Sequence, residues 1–169
     1  MNVKGKYWLI FTENKEREMI FTDKKDIKIE SDIEPCVGAR IVLPCMTKQE
    51  KRDIEKKPFI NKKNVNYFIN YKGEEFTIFI PKSYTWDGAS IPFGFRWILG
   101  GKGNPKFLVA SCVHDKMCEN KYLVNYNRKL SSIIFKELLL SCGLSKIKAN
   151  IMFQTVNNYQ RMVRGWRNG

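Results

Sequence analysis

The hydrophobic pattern changes its period halfway along this chain, and that change limits the fold more than any other feature. Before residue 80 the apolar residues come in short runs rich in aromatic and β-branched side chains: KYWLIF (6–11), EMIFT (18–22), ARIVL (39–43), VNYFIN (65–70) and EFTIFI (75–80). Runs of this kind, broken by charged or Gly/Pro segments, are the pattern of β-strands. Between the last two, YKGE places Gly73 where a tight hairpin needs positive φ. The segment 47–64, TKQEKRDIEKKPFINKKN, is charge-rich with one proline and few apolar anchors, so a short helix or an exposed excursion is expected there.

After residue 104 the spacing becomes helical. Asn104 and Pro105 make a cap followed by a proline in the first turn, a favoured helix start ahead of KFLVASCVHDKMCEN. Asn127 caps a second helix with Leu130, Ile133, Ile134 and Leu138 in one stripe, and Gly143 supplies its stop. Ser145 opens a third, with Ala149, Met152, Val156, Tyr159 and Val163 expected on its apolar face. Strands first and helices afterwards predict an α+β fold, in which a small antiparallel sheet from the N-terminal half packs against about three C-terminal helices. At 169 residues one domain is expected over 1–169, with a β-rich, basic part over 1–79 and a loop-plus-helix part over 80–166.

Charge narrows the partners. Thirty Lys and Arg against 17 Asp and Glu leave a net charge of +13, a field that attracts nucleic acid, an anionic membrane surface or an acidic protein. The lysines are scattered and form no dense tract. No apolar run is long enough for a membrane-spanning helix, and the first residues lack the basic-then-apolar order of a secretory signal. A cytoplasmic location is the expectation. Five cysteines without a C-x-x-C pair suggest reduced thiols rather than a disulfide framework.

The chemistry-bearing residues gather in two stretches. His114, the sole histidine, and Asp115 fall inside an otherwise apolar helix, where an unpaired carboxylate is costly to bury. Neighbours on a helix diverge by about 100°, so the two are expected to flank a common cleft rather than pair. The stretch WDGASIP (86–92) offers Asp87 as acceptor and Ser90 as hydroxyl, while Gly88 and Ala89 allow close backbone approach. An Asp87–His114 hydrogen bond fixes the tautomer and raises the basicity of the other ring nitrogen, which describes a general base with an orienting acid. The same contact equally describes a buried network that holds loop to helix. His114 and Cys118 at i, i+4 raise a zinc reading that lacks its remaining ligands. At the C-terminus Arg161, Arg164 and Arg167 with Trp166 combine cations and a stacking surface, suited to single-stranded nucleic acid or lipid headgroups.

The order WDGASIP (86–92), ASCVHDKMCE (110–119), NRKLSSIIF (127–135) and RMVRGW (161–166) resembles a phage- and prophage-associated family, domain of unknown function 1353, over Ile80 to Trp166. That family carries an acid-x-A-S-x-P loop, an H-D-x-x-Y helix and an S-R-x-x-A-D-x-x-F helix. Here Cys118 stands in place of its tyrosine and Ser132 in place of its second aspartate. The His-Asp helix is also similar to that of phospholipases A2, a resemblance that implies His114 as base and Asp115 as calcium ligand, but Ser132 removes the orienting acid. Two functions follow as expectations. One is a non-catalytic module binding a nucleic acid, a nucleoprotein such as a host defence complex, an acidic protein surface or a virion partner. The other is a hydrolase using His114, Asp115, Asp87 and Ser90, with calcium or zinc.

Overall fold

The computed structural model describes residues 19–88, 104–120 and 127–163. Its strands are β1 (Met19–Lys24), β2 (Ile27–Ser31), β3 (Val37–Ala39), β4 (Phe59–Asn61), β5 (Val65–Tyr71), β6 (Glu74–Ile80) and β7 (Thr85–Trp86). Its helices are α1 (Lys48–Lys56), α2 (Pro105–Glu119), α3 (Arg128–Ser141) and α4 (Lys146–Val163). The architecture is α+β, with antiparallel strands from the N-terminal half and three helices from the C-terminal half. The strand expected over 6–11 lies outside the described residues.

The strands form two sheets rather than one: a four-stranded sheet in the order β1-β2-β5-β6 and a three-stranded sheet in the order β3-β4-β7. The β5–β6 hairpin closes as its sequence requires. Lys72 and Gly73 both take positive φ, 53° and 86°, between the paired residues Tyr71 and Glu74. A two-residue turn of this hand matches the twist of its flanking strands. The strand β2 escaped the sequence reading because only Ile27 and Ile29 mark it within a lysine-rich segment, yet both are buried.

One expectation is corrected. The strand expected over 39–43 ends at Ala39. Its last backbone bond runs from Arg40 N to the carbonyl of Pro58, 2.7 Å away. Pro58 has no N–H to return, and α1 precedes it, so the ladder stops and Ile41, Val42 and Leu43 are left exposed. The short helix expected within 47–64 is α1, started by a reciprocal Thr47–Glu50 capping box, and it is followed by an unexpected strand, β4, whose Phe59 enters the core. The buried Asn61 side chain donates to the carbonyls of Ile80 and Pro81 at 3.2 and 3.1 Å, tying β4 to the end of β6.

One core joins sheets and helices. Ile29, Tyr67, Ile69 and Ile78 meet Phe107, Val113 and Met117 of α2 and Ile134, Phe135 and Leu138 of α3. α2 packs on β6 and β3, α3 on β1, and α3 lies between α2 and α4. Burying each such side chain contributes about 1.5–3 kcal/mol. The expected caps form: Asn104 accepts from Lys106 N, Asn127 accepts from Leu130 N at 2.7 Å, and Gly143 takes φ +81° after α3.

Candidate functional site

The stretch that begins at Trp86 does meet the histidine helix, through its aromatic residue. Trp86 pairs with Phe59 across β7 and β4, stacks on Tyr84 with ring centroids 6.1 Å apart, and is 1% exposed. Its indole N–H donates to Ser111 Oγ at 3.0 Å, and Ser111 donates in turn to the carbonyl of Leu108 at 3.1 Å. This contact lies one helical turn before His114. Asp87 follows, half-buried, and Gly88 takes φ +88°, a conformation that favours glycine. Ser90 lies outside the described residues, as do Arg164, Trp166 and Arg167. The Arg161 side chain lies outside them as well.

His114 is 8% exposed and packs on Phe135, ring centroids 5.0 Å apart. Both of its nitrogens are engaged. Nδ1 lies 3.5 Å from Asp115 Oδ1, so the adjacent pair does come together: rotation of the two side chains overcomes the 100° divergence of their backbones. Nε2 lies 2.6 Å from the side-chain amide of Gln160 on α4. Cys118 Sγ sits one turn on, 3.7 Å from Nε2 and 3.0 Å from the same amide. The other end of the Gln160 amide meets Ser131 and Ser132, each 3.4 Å away. Both serine hydroxyls also reach the carbonyl of Arg128, at 2.9 and 3.1 Å.

Burial works against a charge on this ring. The Cys118 sulfur and the Asp115 carboxylate outweigh it, and the imidazole pKa is raised to about 9. In the structure the amide nitrogen of Gln160 faces the ring and its oxygen faces the serines; a protonated ring, which donates from both nitrogens, is matched by exchanging the two ends of the amide. Ser131 and Ser132 suit either orientation, because a hydroxyl that donates to Arg128 can still accept from Gln160. The network therefore links α2, α3 and α4 through one imidazole, one amide and two hydroxyls. Gln160→Leu takes the amide partner from His114 Nε2 in a buried place, while both serines keep the Arg128 carbonyl, and we expect it to cost about 1–3 kcal/mol. Urea unfolding measures this; an unchanged midpoint shows that the amide contributes nothing.

Gln160 was missed by the sequence reading. The apolar face of α4 was expected to continue through Tyr159, but Tyr159 is 46% exposed and Gln160 is buried with Ala149, Met152 and Val156. Position 160 follows Val156 by four residues, so helical spacing could have found it; its polarity hid it. Ser132, which stands where the resembled family has an acid, reaches His114 only by way of this glutamine. Among the described residues no group of three or more His, Cys, Asp or Glu side chains converges to hold a metal ion. Among them, too, no helix is long and apolar enough to cross a membrane.

Comparison with known proteins adds one match. No curated protein and no solved structure matches the chain. A family model, by contrast, matches residues 64–156, just over half of its length. The match starts earlier than the resemblance read from motifs, which began at Ile80, and so takes in the β5–β6 hairpin. It includes Trp86, His114, Asp115 and Ser132 and ends four residues before Gln160. The chain belongs to the family described as Protein of unknown function (DUF1353).

Proposed function

We propose that this chain is a non-catalytic binding module that uses its basic surface to hold an anionic macromolecule, nucleic acid or nucleoprotein first among the candidates. The observation that carries this reading is the state of the only histidine. A general base needs a nitrogen within reach of substrate, whereas the nitrogens of His114 face Asp115 and Gln160 beneath an 8% exposed side chain. An imidazole so placed specifies packing rather than chemistry. The net charge of +13 supplies the attraction. In keeping with the motif resemblance, the module acts in a phage or prophage setting, in the host cytoplasm or on the virion, where a host nucleoprotein is a natural target.

Binding of single-stranded and duplex oligonucleotides at rising salt tests the reading. With about six phosphate contacts, affinity falls by about 10³-fold between 50 and 200 mM salt. Affinity that does not change with salt sinks it. His114→Ala should leave that affinity unchanged once the variant's stability is allowed for.

One observation favours a second reading, hydrolysis: the acid–imidazole contact between Asp115 and His114. Turnover of lipid, ester or amide substrates with calcium or zinc, abolished in His114→Ala, would replace the first reading with this one.

A further inference from the structure

The exposed segment between β3 and α1 combines features that nothing described so far uses. Ile41, Val42 and Leu43 are 73%, 47% and 47% exposed, an unusual run of three neighbouring branched aliphatic side chains facing water. Pro44, Cys45, Met46 and Thr47 follow, so residues 41 to 47 carry no charge at all. The segment is held in shape from behind. Arg40 Nη1 donates to the carbonyls of Asp53 and Lys57 at the end of α1, at 3.4 and 3.2 Å. Met46 N donates to the carbonyl of Leu43 at 3.2 Å, and Lys51 Nζ donates to the carbonyl of Pro44 at 3.3 Å. The capping box at Thr47 fixes the entry into the helix.

Around this apolar tip stand cations. Arg40, Lys48, Lys51, Arg52, Lys56 and Lys57 outnumber Glu50, Asp53 and Glu55 between residues 40 and 57, a net charge of +3, with Lys57 also meeting Glu119 of α2 at 3.9 Å. Two of those acids already have partners: Glu50 is bound in the capping box and Asp53 Oδ1 accepts from Gln49 at 2.9 Å. A rigid apolar tip with a basic rim is complementary to a surface that is anionic outside and hydrocarbon within. A second copy of this chain fits poorly, since it would bring like charges together. Nucleic acid has no apolar layer to receive branched aliphatic side chains in place of stacked rings.

We propose that residues 40–57 form a docking site for an anionic phospholipid surface, with Ile41, Val42 and Leu43 entering the headgroup–acyl boundary and the basic residues of α1 resting on the phosphates. The site is separate from the buried His114 network. It is also distinct from the oligonucleotide binding proposed above, which does not call on the apolar tip. Because the loop is already held by its backbone bonds, docking loses little conformational freedom.

Co-sedimentation with vesicles tests this, using phosphatidylcholine mixed with phosphatidylglycerol in one arm and phosphatidylcholine alone in the other. The full chain should partition onto the anionic vesicles at least about tenfold more strongly. The double variant Ile41→Ser/Leu43→Ser, which changes no charge, should lose about tenfold or more of that binding, while its melting temperature and its oligonucleotide affinity stay as in the wild type. Equal partitioning onto both vesicle types overturns the proposal. So does full retention of binding by the double variant. Parallel loss of vesicle and oligonucleotide binding overturns it too, since the tip would then not be specific for lipid. A failure of oligonucleotide binding alone bears on the proposed function and leaves the vesicle result standing.

Discussion

Trp86→Ala lowers the free energy of unfolding by about 3–5 kcal/mol. The side chain is among the largest that are fully buried, at 1% exposure, and belongs to the core shared by sheets and helices. Its removal leaves a cavity bounded by Phe59, at a centroid distance of 5.9 Å, by Tyr84 and by Ser111. β7 has two residues, and Trp86 is the one of them that is buried; backbone bonds between Asn61 of β4 and the neighbouring Ser83 and Tyr84 remain in the variant. The cost arises from lost packing rather than a stranded hydroxyl, because Ser111 keeps its bond to the Leu108 carbonyl. Trp86→Phe should therefore cost less than Trp86→Ala, keeping much of the ring contact and losing the indole N–H. Domains of this kind are stable by only about 5–15 kcal/mol, so the alanine variant gives up a large fraction of the total. Urea denaturation gives the answer as a shift in midpoint at constant slope. A shift worth less than about 1 kcal/mol contradicts the packing described here.

The second large effect is a loss of stability in mild alkali. His114 has its pKa raised from 6.5 to about 9 in the folded chain, against burial, by the Cys118 sulfur and Asp115. A raised pKa means that the folded state holds the proton more tightly than the unfolded state does. The resulting stability is fully present below about pH 6.5, where both states are protonated. It declines as pH rises through the native value of about 9, by up to roughly 3 kcal/mol. Among the described residues the ring meets Asp115 and Cys118 from α2, Phe135 from α3, and Gln160 from α4, which carries the link to Ser131 and Ser132. Thermal melts of wild type and His114→Gln between pH 6 and 9.5 isolate the contribution as a difference curve. That difference should shrink with rising pH; a constant or growing difference means the ring is neutral in the fold. Asp115→Asn should flatten the curve by removing one of the groups that favour the charged ring.

The two effects concern neighbouring parts of α2, and together they explain why its polar residues are tolerated. Ser111 receives an indole from β7, and His114 receives an amide from α4. A helix that is apolar on nearly every side can carry a serine and a histidine only if each is met by a partner from another element.

Much of this was legible from residue order alone. Period-2 runs ahead of period-3.6 stripes determined the α+β class, because each pattern can bury its apolar side in only one backbone conformation. Asn104 with Pro105, Asn127, and Gly143 marked helix ends through backbone groups that local side chains satisfy. Gly73 marked the hairpin through its φ. What escaped were features set by residues distant in the chain. The end of β3 at Ala39 depends on Pro58 lying opposite. The burial of Gln160 in place of Tyr159 depends on an imidazole 46 residues earlier. The setting of the His114 ring depends on Phe135 from α3 and Gln160 from α4. Local pattern determines which conformation a segment takes, since those energies belong to the segment itself. Which polar groups become partners is decided only when the elements pack, because the cost of leaving a group unpaired arises only once water has been excluded from it.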